Sequence, residues 1–208
     1  MASSTINLNK KFKPTVDVVS LANAVVLDPQ GRQLKVGHLW NKNATVLVFL
    51  RHFACIACRA HAVEVWADRE RYEKTGAKIV FIGNGAPEYI DAFKNELGLQ
   101  KALILTDPTL VTFKAAGLRN GILAVVTPKS VVNMAKLAAK GHVQKSMAAE
   151  GTHWQLGGVV ALNKDGKVIY HYVSESVGDL PNEGEVEALV ESVDAEAPAE
   201  EVSAEPPD

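Results

Sequence analysis

From residue 21 onward the chain alternates short apolar runs with amphipathic stretches, and the punctuation between them is mostly Gly, Pro, Asn and Asp. Residues 45–50, Thr-Val-Leu-Val-Phe-Leu, are apolar almost throughout, the pattern of a strand buried on both faces. Residues 78–82 repeat that pattern, and 102–105 form a shorter version. Upstream, residues 21–27 are rich in β-branched side chains and predict a strand. Asp28-Pro29-Gln30-Gly31 reads as a turn, and residues 33–36 return as a second strand, which makes a hairpin. Helical stretches are predicted from the cysteines at 55 and 58 to about residue 75 and over 87–97, where Pro87 starts the helix and Gly98 ends it. A short helix follows Asp107-Pro108 and stops at Gly117, and residues 129–149 form a longer Ala/Lys/Val-rich helix interrupted at Gly141. Residues 158–162 and 167–173 are strands joined by Asn163-Lys-Asp-Gly166, a turn that tolerates positive φ, and 183–193 closes the series as a helix. No internal repeat is visible. The pattern predicts one α/β domain over residues 21–193, a mixed sheet with helices on both faces and an N-terminal hairpin, preceded by a polar arm over 1–20.

Composition narrows this picture. With 208 residues, 47% of them apolar, the chain has ample material for one core. Two cysteines are too few for a disulfide-stapled miniprotein. The longest apolar runs are strand-sized and fall far short of the ~20 residues of a membrane-spanning helix. Residues 1–13 carry no apolar stretch of the kind a secretory signal needs. A soluble, cytoplasmic protein is therefore expected. The net charge of −2 conceals an asymmetry: residues 191–208 hold seven acidic and no basic residues, which leaves 1–190 at 22 − 17 = +5. Residues 194–208, rich in Pro, Ala and Glu, are expected to form a disordered acidic tail. Between Asp107 and Glu150 there are six Lys or Arg and no acid, a pattern that fits a solvated basic face or a docking surface for an acidic partner, the protein's own tail included. Aromatic residues are sparse and not interleaved with Lys, so nucleic-acid binding is not expected.

The chemistry centres on Cys55-Ile-Ala-Cys58, directly after the buried strand. A thiol at the first turn of a helix meets unsatisfied N–H groups and the positive end of the macrodipole. These favour thiolate and can lower its pKa from about 8.5 into the ~3.5–7.5 range. Cys55 is accordingly the expected nucleophile. Cys58, one turn further on the same face, is placed to capture an oxidised Cys55 as a disulfide. Arg51, His52, Arg59 and His61 flank the pair, and cations there would favour negative charge on sulfur. Two other readings stay open. One is a zinc site using the cysteines with His52 and His61, although a structural site usually needs a second pair. The other is a pair of inert buried thiols.

The stretch Val48-Phe-Leu-Arg-His-Phe-Ala-Cys-Ile-Ala-Cys-Arg59 resembles the active-site segment of the thioredoxin superfamily, and specifically the peroxiredoxin-like type 2 proteins of the alkyl hydroperoxide reductase and thiol-specific antioxidant superfamily. Val26-Leu-Asp-Pro-Gln-Gly31, Leu39-Trp40, the segment from Asp107 to Leu118, Gln155-Leu-Gly-Gly158 and Gly178-Asp179 extend the resemblance over most of the chain. It implies a thioredoxin-like fold and a thiol oxidoreductase that reduces hydrogen or organic peroxides through Cys55 and Cys58. It also implies no bound cofactor and turnover by an external thiol, either thioredoxin with NADPH behind its reductase or glutathione. Some members of the family reduce lipid endoperoxides such as prostaglandin H. General thiol–disulfide exchange on protein substrates and a non-catalytic redox-sensing adaptor are the other readings, and a homodimer is compatible with all three. The sequence also departs from the family. His52 stands where peroxiredoxins carry the Thr three residues before the cysteine. Gly157 and Gly158 stand where an Arg and the cis-Pro of thioredoxins are expected. Arg51 and Arg119 are therefore candidates to polarise a peroxide, His52 to tune Cys55 and Gln155 to hydrogen-bond at the site. Gly157 and Gly158 would leave room for a substrate. Trp154 is more simply a packing residue.

Overall fold

The computed structural model describes residues 16–139, 141 and 151–195. Its first element corrects the sequence reading. The Asp17 side chain accepts from the Ser20 N–H and opens helix α1, Val18–Asn23. The cap carries the helix through Leu21-Ala22-Asn23, which hold no β-branched side chain, and leaves the strand to Val25–Leu27. Strand β1 is confined to Val25–Leu27 and pairs antiparallel with β2, Gln33–Lys35, Val26 facing Leu34. The hairpin stands, with Gly31 at φ +74° and Asp28 accepting from the N–H groups of Gln30 and Arg32. The arm expected over 1–20 is shorter at its C-terminal side, since Val16 and Val18 pack against the core. Residues 1–15 lie outside the described residues.

Three parallel strands make the centre of the sheet: β3 (Thr45–Phe49), β4 (Lys78–Gly83) and β5 (Leu103–Thr106). Strands β6 (Gly158–Leu162) and β7 (Val168–Val173) add antiparallel on the β3 side, and β1 adds antiparallel on the β5 side. The order is β2-β1-β5-β4-β3-β6-β7. Every position of β3 is buried because both faces are covered. Val46 and Val48 enter one core beside α2 (Ile56–Ala67), α4 (Tyr89–Leu97) and α8 (Glu183–Asp194). Leu47 and Phe49 enter the other, beside α1 and α5 (Val111–Ala115). Each such side chain removed from water contributes about 1.5–3 kcal/mol. The C-terminal end of β3, where the cysteine segment begins, is thereby fixed from both sides.

The helix expected to run to residue 75 is broken at Asp68, which ends α2 and begins α3 (Arg69–Lys74). A short α6, Ile122–Val125, precedes α7, Pro128–Ala139. Gly141 has φ +84°, a conformation that favours glycine, consistent with the expected interruption there; the rest of the 129–149 region, with Lys140 and Lys145, lies outside the described residues. Asn182 and Glu185 form a reciprocal capping box at the start of α8. Of the acidic tail, residues 196–208 also lie outside the described residues. Among the described residues, no helix is long and apolar enough to cross a membrane.

Candidate active site

Strand β3 is extended by a hydrogen bond from the Leu50 N–H to the Ile82 carbonyl (2.9 Å), and the chain then turns sharply. The Cys55 N–H donates to the His52 carbonyl (3.2 Å), and the Cys55 carbonyl accepts from the Arg59 N–H (2.9 Å) as the first bond of α2. Cys55 is therefore the N-cap of α2, in extended conformation, and Cys58 stands one turn inside. Both thiols are reduced and buried. Cys58 Sγ accepts from the Arg51 N–H at 3.1 Å, and the Arg51 guanidinium Nη1 donates to Cys55 Sγ at 3.4 Å.

These contacts push the two thiols in opposite directions. The hydrogen bond from Cys58 lowers Cys55 to about 6, despite the opposing effect of burial, and the Arg51 charge assists. The Cys55 sulfur makes no full capping bond, but the N–H groups of Cys58 and Ala57 at the start of α2 add to the lowering. Burial is the main reason Cys58 is raised well above the ordinary thiol value, reinforced by its hydrogen bond to Cys55 and the charge there. The pair therefore consists of a thiolate acceptor at the helix start and a thiol donor behind it.

Arg51 is buried, and its guanidinium is held from the opposite side of the site. Nε donates to the Gln155 carbonyl (2.9 Å), and Nη2 donates to the His153 carbonyl (2.5 Å). Gln155 thus acts through its backbone. Its side chain is occupied elsewhere, donating to the Arg119 and Leu156 carbonyls and accepting from Asn120 Nδ2. The approach of this segment to β3 depends on Gly157, where a Cβ would collide with the Phe49 carbonyl, and on Gly158, where one would collide with the Tyr172 carbonyl and, at 2.6 Å, with Leu118 Cδ2. Both glycines also line a cavity of about 20 Å³ beside Cys58.

The other candidates separate. The Arg119 side chain is not at the thiols. It points into an open groove of about 680 Å³ lined also by Lys129, His171, Glu175 and Asp179. There it pairs with Glu175 at 3.7 Å, both side chains more than half exposed, while Lys129 pairs with Asp179 at 3.2 Å. Arg59 lies against the Phe93 ring and pairs with Glu96 at 2.7 Å. His52 is buried; burial first, then the charges of Arg51 and His153, lower it to about 3. Burial lowers His61 to about 4. Both rings are neutral near pH 7, so the thiolate's nearby cation is Arg51. Among the described residues no cluster of three His, Cys, Asp or Glu is arranged to hold a metal. Trp154 is 42% exposed, not packed inside. The residue that sequence reasoning missed is His153, whose carbonyl holds Arg51 and whose Nδ1 stands 3.5 Å from His52 Nε2. Its proximity to Gln155 in the chain was the available signal, and a backbone contact leaves no side-chain pattern to read.

Comparison with known proteins follows the same lines. The family model described as AhpC/TSA antioxidant enzyme matches residues 64–176, a range that begins on α2 after both cysteines. A prostamide/prostaglandin F synthase from Danio rerio is 31% identical over 176 residues, covering 80% of this chain and 84% of the relative. The chloroplastic thioredoxin-like protein AAED1 of Arabidopsis thaliana is 26% identical over 188 residues, covering 86% of this chain and 73% of the relative. Among solved structures, the bacterioferritin comigratory protein of Xanthomonas campestris superposes with a TM-score of 0.59 at 13% identity, covering 86% of this chain and 96% of that one. The peroxidoxin BcpB of Mycobacterium tuberculosis superposes at 0.54 with 14% identity, covering 83% and 92%. These two likenesses concern the thioredoxin-like fold.

Proposed function

Because the chain belongs to the AhpC/TSA antioxidant enzyme family and is a thiol-dependent oxidoreductase of the peroxidase class, we propose that Cys55 is its attacking thiolate and Cys58 its resolving thiol. The observation that carries this assignment is the placement of the two thiols, Cys55 at the start of α2 with the Arg51 guanidinium 3.4 Å from its sulfur and Cys58 buried one turn behind, an arrangement in which Cys55 is lowered to about 6 and Cys58 raised. Cys55 sulfur attacks one peroxide oxygen, the O–O bond breaks, and the departing oxygen leaves as an alcohol or water after taking a proton. Cys55 is then a sulfenic acid. Arg51 Nη1, 3.4 Å from the sulfur, is placed to hold the charge that moves onto oxygen, in the place of the hydroxyl that His52 does not supply. Cys58 next attacks the Cys55 sulfur, water leaves, and a disulfide joins the two residues. An external thiol, either thioredoxin with NADPH behind it or glutathione, returns both to the reduced state, and no bound cofactor takes part.

An organic peroxide is the proposed substrate. Its apolar portion supplies binding energy that orients the O–O bond, which hydrogen peroxide lacks. The name prostamide/prostaglandin F synthase carried by the Danio rerio relative supports this choice. The proposed address is the cytoplasm, with the plastid as the alternative raised by the chloroplastic relative; cell fractionation separates them. Measurement of free thiols after peroxide addition tests the assignment. Both thiols should disappear in the wild type, Cys55→Ser should be inert, and Cys58→Ser should stop at a sulfenic acid visible by mass spectrometry. The second-order rate constant should be larger for a bulky hydroperoxide than for hydrogen peroxide. Reduction of insulin disulfides without peroxide-dependent thiol loss would instead indicate thiol–disulfide exchange, and inertness in both assays an adaptor.

A further inference from the structure

Resolution of the sulfenic acid requires the Cys58 thiol to lose its proton, and burial, the largest cause of its raised value, opposes that loss after Cys55 is oxidised as it does before. The roles proposed above give Cys58 no proton acceptor. Arg51 offers only donors, and each of its three nitrogens already makes a hydrogen bond. The groups around Cys58 supply one candidate. His61 follows Cys58 by three residues on α2, so the two share a helix face. Both line the cavity of about 20 Å³ between α2 and the segments at Gly157–Gly158 and Ser174–Leu180, a volume sufficient for about one water molecule. The other ionisable side chains in its wall are Arg51 and Asp179. Asp179 is committed, Oδ1 to Lys129 Nζ at 3.2 Å and Oδ2 to the Glu175 N–H at 2.7 Å. Ser176, also in the wall, has a buried hydroxyl with no hydrogen-bond partner, so the polar capacity of this wall is not exhausted by the protein.

We propose that His61 is the proton acceptor for Cys58 during disulfide formation, acting through one water in this cavity. The inference rests on the redox-pair reading above. As Cys58 Sγ closes on the Cys55 sulfur, its S–H bond breaks and the proton passes through the water to a ring nitrogen of His61. The S–S bond forms and the S–O bond of the sulfenic acid breaks. Hydroxide leaves from Cys55 and takes a proton from solvent, and His61 later releases its own proton to solvent. The net products are one disulfide and one water; Cys58 sulfur is oxidised and Cys55 sulfur reduced, with no further reagent. His61 is a weak base where it sits, so transfer is concerted with sulfur attack and does not precede it.

The experiment separates the two chemical steps. Reduced protein is mixed with stoichiometric cumene hydroperoxide. Stopped flow reports the loss of the Cys55 thiolate, and timed dimedone trapping reports the lifetime of the sulfenic acid. In His61→Phe, which keeps a ring in the core, and in His61→Gln, which still binds water but takes no proton, the first step should stay within about twofold of wild type. The disulfide step should slow by roughly tenfold or more, below the ~10²–10⁴ that a base of matched pKa supplies. Wild type should show a solvent deuterium isotope effect on the disulfide step that both variants lose. An unchanged disulfide step overturns the assignment, and so does equal slowing of both steps, which a purely structural loss would produce. If only one variant folds, it carries the same test. Failure of the underlying redox reading looks different: wild type itself would form no Cys55–Cys58 disulfide.

Discussion

Arg51 and Arg119 are both offered by the sequence as cations to polarise a peroxide, one just after a predicted strand and the other just after a predicted helix, and the fold gives them opposite environments. Arg51 is buried at the corner between β3 and α2, its guanidinium spread over the Gln155 and His153 carbonyls and Cys55 Sγ. Arg119 lies across the Asn120–Gln155 bridge in an open groove, where its guanidinium pairs with Glu175 at 3.7 Å in water. The same charge acts strongly in the first place and weakly in the second, because solvent screens the groove and is excluded from the corner. A cation becomes part of a redox site when the backbone fixes its donors and water is kept away; proximity in the chain is insufficient.

The most severe way to break this comparison is Arg51→Met beside Arg119→Met. Loss of the Arg51 donor should slow Cys55 oxidation by about 10²–10³ and raise the Cys55 thiol pKa. It should also cost about 1–3 kcal/mol for each buried carbonyl left without a partner. Stopped-flow rates and thermal melts read both effects, and similar rates for the two variants would remove Arg51 from the site.

The comparison sharpens with pH. With Cys55 lowered to about 6 by its hydrogen bond from Cys58 and the Arg51 charge, its oxidation rate should be flat above that value and fall about tenfold per pH unit below it. The sign for stability follows from linkage. Between about 6 and 9.0 the folded Cys55 is deprotonated while the unfolded thiol still binds a proton, so this group's contribution is complete above 9.0, shrinks as pH falls, and is lost below about 6. Cys58 acts in the opposite sense. Its raised pKa gives a contribution present below the unfolded value and lost as pH rises above it. Melting curves of Cys55→Ser should therefore lose the wild type's rise in stability between about 6 and 9.0, whereas those of Cys58→Ser should differ in pH slope, with the opposite sign, only above 9.0.

A smaller effect is expected at the glycines, which lie between the two regions. Gly157→Ala forces a Cβ onto the Phe49 carbonyl on the Arg51 side, and Gly158→Ala forces one onto the Tyr172 carbonyl and Leu118 on the groove side. Each should cost about 1–3 kcal/mol as an overpacking defect. Gly157→Ala should also slow Cys55 oxidation, because it moves the segment that holds Arg51, whereas Gly158→Ala should lower the melting temperature with a smaller effect on rate. The smallest effect belongs to Arg119→Met itself, within about 0.5 kcal/mol in stability, as for other exposed pairs; a larger loss in thermal melts would show that the groove contributes more than screening allows.

Much of this architecture was legible in the residues because its causes are local or periodic. The unbroken apolar run at 45–50 requires cover on both faces, the Asn163–Gly166 turn requires a hairpin, and a cysteine at a strand-to-helix corner meets free N–H groups wherever the helix packs. Local reading failed at residues 21–23, Leu-Ala-Asn, which join the helix that Asp17 caps and not the strand that Val25 and Val26 form, and at Asp68, where a helix broke without Gly or Pro. The sequence by itself therefore determined a two-sided α/β sheet and a thiol pair at a helix start. Only the tertiary structure decided which arginine serves the thiols, that His52 and His61 are buried and neutral, that Gln155 and His153 act through their carbonyls, and that Cys58 is held protonated. Those outcomes depend on which backbone atoms more than a hundred positions away approach Arg51 and on how far water is excluded, and neither is encoded in the spacing of residues along the chain.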